Sequence, residues 1–149
     1  MEAFREINVG ELESKSPSEE TWNYYFSVLN SWRSGDTERR FPQGENKDEL
    51  LKRFKDGMKL ILIENQNSKE PVVIVGHGGI FIISLAEILE NIDHNFFSIK
   101  HWENCGITTC EVNMVGERLT GTLIDYGDTS FLTGNAAKLV HGTPKFEKE

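Results

Sequence analysis

The chain has 149 residues, with 16 Lys and Arg against 24 Asp and Glu for a net charge of −8, and is 38% hydrophobic and 27% charged. Such a composition fits a soluble globular protein, and the length suits one domain over residues 1–149 that buries about two-thirds of its unfolded surface. The acidic balance argues against general nucleic-acid binding, no apolar run reaches the roughly 18 residues that a membrane span needs, and the mixed, acidic opening MEAFREINVGELE is no signal peptide. Any anionic substrate must therefore be held by local donors, because the overall field repels it.

The first 13 residues read as short and extended, with Phe4, Ile7, Val9 and Leu12 as apolar points. Ser16-Pro17-Ser18-Glu19 is a helix start in which Ser16 caps, Pro17 takes the first helical position and Glu19 completes a capping box. Trp22, Tyr25, Phe26, Leu29 and Trp32 give that helix an aromatic face, read as core rather than as a ligand box, and Ser34-Gly35-Asp36 ends it. A polar loop over residues 35–45 carries Arg39-Arg40 and Phe41-Pro42-Gln43-Gly44. Asn46 and Glu49 form a second capping box. Leu50, Leu51, Phe54, Met58, Ile61 and Leu62 then recur at helical spacing to about Glu64. Gly57 inside this helix costs about 1 kcal/mol relative to alanine, which points to a close packing contact.

Residues 72–75 are four β-branched residues without alternation, the pattern of a strand buried on both faces of a parallel sheet. Gly76-His77-Gly78-Gly79 breaks the run, and residues 80–89 read as a buried helix. Open α/β sheets bind ligands at the carboxyl ends of their strands, and a helix N-terminus there suits an anion. Two readings of His77 stay open at this point: a phosphate site, with Gly78 and Gly79 letting an oxyanion approach the backbone, or a strand-to-helix turn whose histidine caps the helix. Beyond it, residues 91–102 form a connection with Phe96 and Phe97 packing inward. Residues 106–114 and 118–126 form a hairpin turning near Val115-Gly116-Glu117, and the polar tail from Gly127 is expected to end in disorder. Cys105 and Cys110 fall in one predicted strand on opposite faces and read as reduced thiols of a cytoplasmic protein.

No Walker-type loop, Gly-x-Ser-x-Gly elbow or His-Glu-x-x-His helix occurs. The spacing of His101, Cys105 and Cys110 matches no common zinc site, so neither metal nor cofactor is expected. His94 and His141 read as solvated loop residues. Arg39 and Arg40 are the candidates for contact with an acidic substrate, although a charge pair in a loop is more often solvated.

The order of these features resembles the histidine phosphatase superfamily, in its phosphoglycerate mutase-like branch. Val73-Ile74-Val75-Gly76-His77-Gly78-Gly79 is similar to the family's second histidine motif. Phe41-Pro42-Gln43-Gly44-Glu45-Asn46 resembles its Pro-Gly-Gly-Glu-Ser segment, and Glu6-Ile7-Asn8-Val9-Gly10-Glu11-Leu12-Glu13 its Glu-x-x-x-Gly-x-x-Glu segment. Asn104-Cys105-Gly106-Ile107-Thr108 is similar to the start of a late strand, and Asp128-Thr129-Ser130-Phe131-Leu132 to the close of the domain.

The resemblance implies an α/β fold: a three-layer α/β/α domain with a mostly parallel central sheet and a C-terminal antiparallel hairpin. It implies phosphoryl transfer, or hydrolysis of a phosphomonoester, through a phosphohistidine. His77 then stabilises the transferring group with help from the amides of Gly78 and Gly79, and Glu6 acts as general acid. The implied partner is a small phosphorylated metabolite or a phosphoprotein. The family's opening Arg-His-Gly strand, which carries the nucleophile, and its later Ser-x-x-x-Arg motif have no match here. The expectation is a domain truncated at its N-terminus, missing its first, central strand and with little or no activity alone, since losing a nucleophile costs orders of magnitude in rate. Unpaired backbone groups beside residues 72–75, or a new pairing there, would follow. Two other readings stay open: a non-catalytic remnant or subunit that pairs with another chain, including a homo-oligomer through that edge, and an incompletely read gene.

Overall fold

The computed structural model describes residues 1–93, 96 and 103–138. Two 3-10 turns, Glu2–Phe4 and Gly10–Ser14, precede three helices: α1 (Glu19–Arg33), α2 (Lys47–Glu64) and α3 (Gly78–Leu85). Strands β1 (Ile107–Val115) and β2 (Arg118–Asp128) follow, and a last 3-10 turn spans Gly134–Ala137. The result is a mixed α/β fold.

Helix α1 begins two residues later than the expected Ser16 cap. Ser18 is the N-cap: its hydroxyl accepts the Thr21 amide at 3.1 Å and lies 2.9 Å from the Thr21 hydroxyl. Both serines are suitable caps, and the one that also meets a second hydroxyl prevails. The helix ends as the Ser-Gly-Asp sequence requires. Gly35 adopts φ +98°, its amide bonds to the Trp32 carbonyl at 3.3 Å, and that of Asp36 bonds to Ser31 at 3.0 Å. Those two bonds make a Schellman motif, in which glycine takes the left-handed position without a Cβ penalty. The Asn46/Glu49 capping box of α2 forms in both directions, at 2.9 and 3.1 Å. A Cβ on Gly57 would run into Ala3 and Phe4, so this glycine lets the first turn lie directly on α2.

Buried side chains from every part of the described chain share one core. Phe4 meets Phe54 edge-on at 5.6 Å, and Phe54 meets Phe81 at 6.4 Å. Phe41 stacks on Tyr25 and receives Trp32 edge-on, both at 5.7 Å. The aromatic face of α1 is core only in its second half. Val28, Leu29 and Trp32 are buried, whereas Trp22 and Tyr25 are half-buried and Phe26 is exposed. Trp22 and Phe26 border an open cleft instead of a neighbouring element.

The hairpin matches the expected position. Val115 pairs with Arg118 across Gly116 (φ +62°) and Glu117, a two-residue turn with glycine at the first central position. Cys110 pairs with Leu123 and Val112 with Gly121 on the face packed toward the core. Cys105 precedes β1 at φ +63°, outside the strand that was expected to hold both cysteines; both thiols are free. The chain after α3 joins this hairpin through a parallel bridge between Leu89 and Gly121 and through Asn91, whose side chain bonds both backbone groups of Leu123.

The expected parallel central sheet is not formed among the described residues, whose one sheet is the antiparallel β1–β2 pair. Residues 71–77 belong to no strand or helix, and Val73 and Val75 are 83% and 89% exposed. A strand exists only through hydrogen bonds to a neighbour, and none of the described residues offers that neighbour. Helix α3 is also shorter than the expected 80–89 segment. Its last apolar residues, Ile88 and Leu89, are buried in the turns that follow it. Phe96 packs edge-on against Tyr126 at 5.3 Å. Phe97, His94, His101, His141 and the expected disordered end of the tail lie outside the described residues. Among the described residues, no helix is long and apolar enough to cross a membrane.

Candidate functional site

Residues distant in sequence converge at the start of α3. His77 is its N-cap residue, with extended backbone (φ −109°, ψ 153°) and an exposed ring. The imidazole makes no capping bond, so the capping reading of this histidine is not realised. Glu6 lies at the same helix end, against Gly79 and Ile80. Its Oε1 accepts the Ile80 amide at 3.1 Å and the Ile7 amide at 2.8 Å. A carboxylate at the first turn of a helix is favoured by the unpaired amides and by the dipole. Gly79 permits this approach, since a Cβ there would lie 2.6 Å from Glu6 Oε1. The amides of Gly78 and Gly79 have no hydrogen-bond partner among the described residues. The Glu6 carboxylate and the His77 turn, 71 positions apart in the sequence, thus share one end of one helix.

The glutamate is held from behind. Arg53 of α2 uses every donor of its guanidinium. Nε and Nη2 bind the two Glu45 oxygens at 2.9 and 2.7 Å, Nη1 binds the carbonyls of Ala3 and Arg5 at 3.0 and 2.8 Å, and Nη2 also binds the Glu6 carbonyl at 3.2 Å. Glu45 Oε1 in turn accepts the Asn8 amide at 2.8 Å. Further backbone bonds, Glu45 to Asn8 and Glu11 to Pro42, both 2.9 Å, fasten the loop of residues 41–46 to the N-terminal segment. Gly10 (φ +54°) and Gly44 permit this contact, because a Cβ on either would strike the opposing backbone. Two segments singled out for their resemblance therefore form one unit.

Glu6 borders two hollows. The larger, an open cleft of about 1390 Å³, is lined by His77, Gly78 and Gly79, by residues 71–76, and by apolar side chains such as Phe26, Met58, Ile82 and Val112. The smaller, about 570 Å³, lies between the N-terminal segment and α1, with Arg5, Lys15, Trp22 and Tyr25 in its wall. Tyr25 lines both. Burial, reinforced by the negative charge of Glu6 and opposed by Arg33, pushes its phenol up to about 12.

Arg39 and Arg40 stand elsewhere and line neither hollow. Arg39 is bound to the hydroxyls of Ser31 and Ser27 on α1 at 2.6 and 2.9 Å. Arg40 bonds to the Gly44 carbonyl at 3.1 Å and to Glu49 at 2.8 Å, and this arginine holds the Glu49 carboxyl below its usual range. Both guanidinium groups tie the loop of residues 35–46 to the helices flanking it. Reasoning from the sequence passed over Arg53 and Glu45. A signal existed: Arg53 follows Leu50 by three positions and precedes Gly57 by four, so it sits on the buried face of α2, where a cation needs a partner. Among the described residues no group of three or more His, Cys, Asp or Glu could hold a metal ion.

The family model described as the histidine phosphatase superfamily (branch 1) matches residues 1–123. No curated protein and no solved structure matches the chain. With both the glutamate and the histidine segments inside the matched span, the chain belongs to the histidine phosphatase superfamily.

Proposed function

We propose that the end of α3 is a phosphoryl site of this family. There His77 and the amides of Gly78 and Gly79 stabilise a transferring phosphoryl group, and Glu6, in its protonated form, serves as the acid toward the leaving oxygen. In a complete domain the reaction is phosphoryl transfer or phosphomonoester hydrolysis through a phosphohistidine, on a small phosphorylated metabolite or a phosphoprotein in the cytoplasm. The observation that carries this reading is the Ile80–Glu6 hydrogen bond, 3.1 Å, which puts the Glu6 carboxyl at the helix end that His77 begins. Nothing in the 149 residues matches the nucleophile or the phosphate-gripping arginines, so this chain alone turns over little or nothing. The mostly parallel sheet belongs to the same proposal and arises when a strand joins residues 72–75. The test is hydrolysis of an aryl phosphate by the folded chain and by His77→Ala, together with the NMR response to inorganic phosphate. Expected are no turnover in either protein and phosphate-dependent shifts at His77, Gly78 and Gly79. Hydrolysis that persists in His77→Ala, or a site unmoved by millimolar phosphate, would overturn it.

A second reading rests on the exposure of Val73 and Val75. It takes the chain as a non-catalytic subunit whose edge pairs with another chain, a second copy included. A monodisperse monomer at micromolar concentration, unfolding cooperatively, would remove it.

A further inference from the structure

We propose that Arg53 and Glu45 form a positioning pair whose task is to hold the Glu6 carboxylate at the N-terminus of α3. This rests on the reading of Glu6 above, but the geometry that motivates it needs no substrate. The segment bearing Glu6 has no strand or α-helix of its own; it runs from the turn Glu2–Phe4, which holds Ala3, to the turn Gly10–Ser14. Three of its carbonyls, from Ala3, Arg5 and Glu6, converge on one guanidinium, and its Asn8 amide meets the partner carboxylate. A guanidinium has five N–H donors in a rigid plane, and all five are used here, two on Glu45 and three on that segment. Lysine has three donors on a single nitrogen, so it keeps the charge but cannot reach both edges of the cluster at once. The pair is largely buried, with side chains 19% and 9% exposed, so water is a poor substitute for a missing partner. The bond from Arg53 to the Glu6 carbonyl is the direct link, since fixing that peptide fixes where the Glu6 side chain starts.

The test reads backbone amides in the full 149-residue chain without phosphate. Glu6→Ala defines the signature of a lost carboxylate at the Ile80 amide. We expect Arg53→Lys to move that amide in the same direction and to speed its hydrogen exchange by about tenfold or more, as the loss of one charge-assisted hydrogen bond requires. Adding Glu6→Ala to Arg53→Lys should change Ile80 no further, while the amides of Val112 and Thr120 in the hairpin stay as in the parent. Glu45→Gln, which keeps the size and the acceptor for Asn8, should give an intermediate response and serves if Arg53→Lys does not fold. A folded Arg53→Lys whose Ile80 amide matches the parent and still responds fully to Glu6→Ala would overturn the proposal and leave the pair a merely structural bond. Phosphate-dependent shifts at His77 are a separate measurement, so failure of the phosphoryl site and failure of the positioning pair can be told apart.

Discussion

Glu6 shows how one side chain draws its meaning from what surrounds it. Spacing alone gives no reason to choose it among 24 acidic residues, yet only a glycine at 79 leaves room for its carboxylate at the helix end. Its charge is felt by Tyr25, whose phenol is pushed from 10.0 to about 12 first by burial and then by Glu6. The consequence for stability has a definite sign. Below pH 10 the phenol is neutral in both folded and unfolded chains and stability is unaffected. Between pH 10 and 12 the unfolded chain ionises first, so stability falls with rising pH, by on the order of 2 kcal/mol across the window. Urea unfolding of the parent and of Tyr25→Phe between pH 9 and about 11.5 checks this, and Tyr25→Phe should lose that part of the decline. A decline of equal size in both proteins would mean that other groups cause it.

At the scale of elements, the helices are fixed by their ends as much as by their faces. Two serines compete to start α1, and the difference between them can be measured. Ser18→Ala should cost about 1 kcal/mol in unfolding free energy, while Ser16→Ala should be near neutral, because only Ser18 accepts the Thr21 amide. A cost at Ser16→Ala with none at Ser18→Ala would return the cap to Ser16. Helix α3 obeys a different rule. It is almost wholly apolar, and the described structure makes it only eight residues long. Its continuation into Ile88 and Leu89 turns away to bridge Leu89 to Gly121, where a glycine again accepts close contact. Packing against β2 thus ends a helix that propensity would have extended.

The whole molecule places its most apolar stretch at its least satisfied edge. Residues 72–75 border the cleft of about 1390 Å³ with no ladder partner among the described residues, an arrangement that invites strand addition. Val73→Lys/Val75→Lys is therefore expected to change the stability of the isolated chain by no more than about 0.5 kcal/mol, since exposed side chains contribute little. The same change should abolish any self-association seen by sedimentation. A double variant that unfolds would show that these residues are already covered, and one that associates as the parent does would show that association runs through another surface.

Much of this was legible in the sequence. The Asn46/Glu49 box, the Gly35 stop and the Gly116 turn each depend on a few neighbouring residues, so local pattern sufficed for them; at Gly57 it marked a close contact but not the partners, Ala3 and Phe4. The order of segments sufficed for the family, because such order survives wherever the side chains point. The partners of Arg53 and Glu45, the engagement of Arg39 and Arg40 away from the cleft, and the exposure of Phe26 were settled by the tertiary structure alone. Each depends on which distant carbonyl, hydroxyl or apolar surface lies opposite, and spacing along a chain does not encode that. That residues 72–75 find no ladder partner among the described residues has the same cause: their composition is that of a buried strand, but a strand is made by its neighbour.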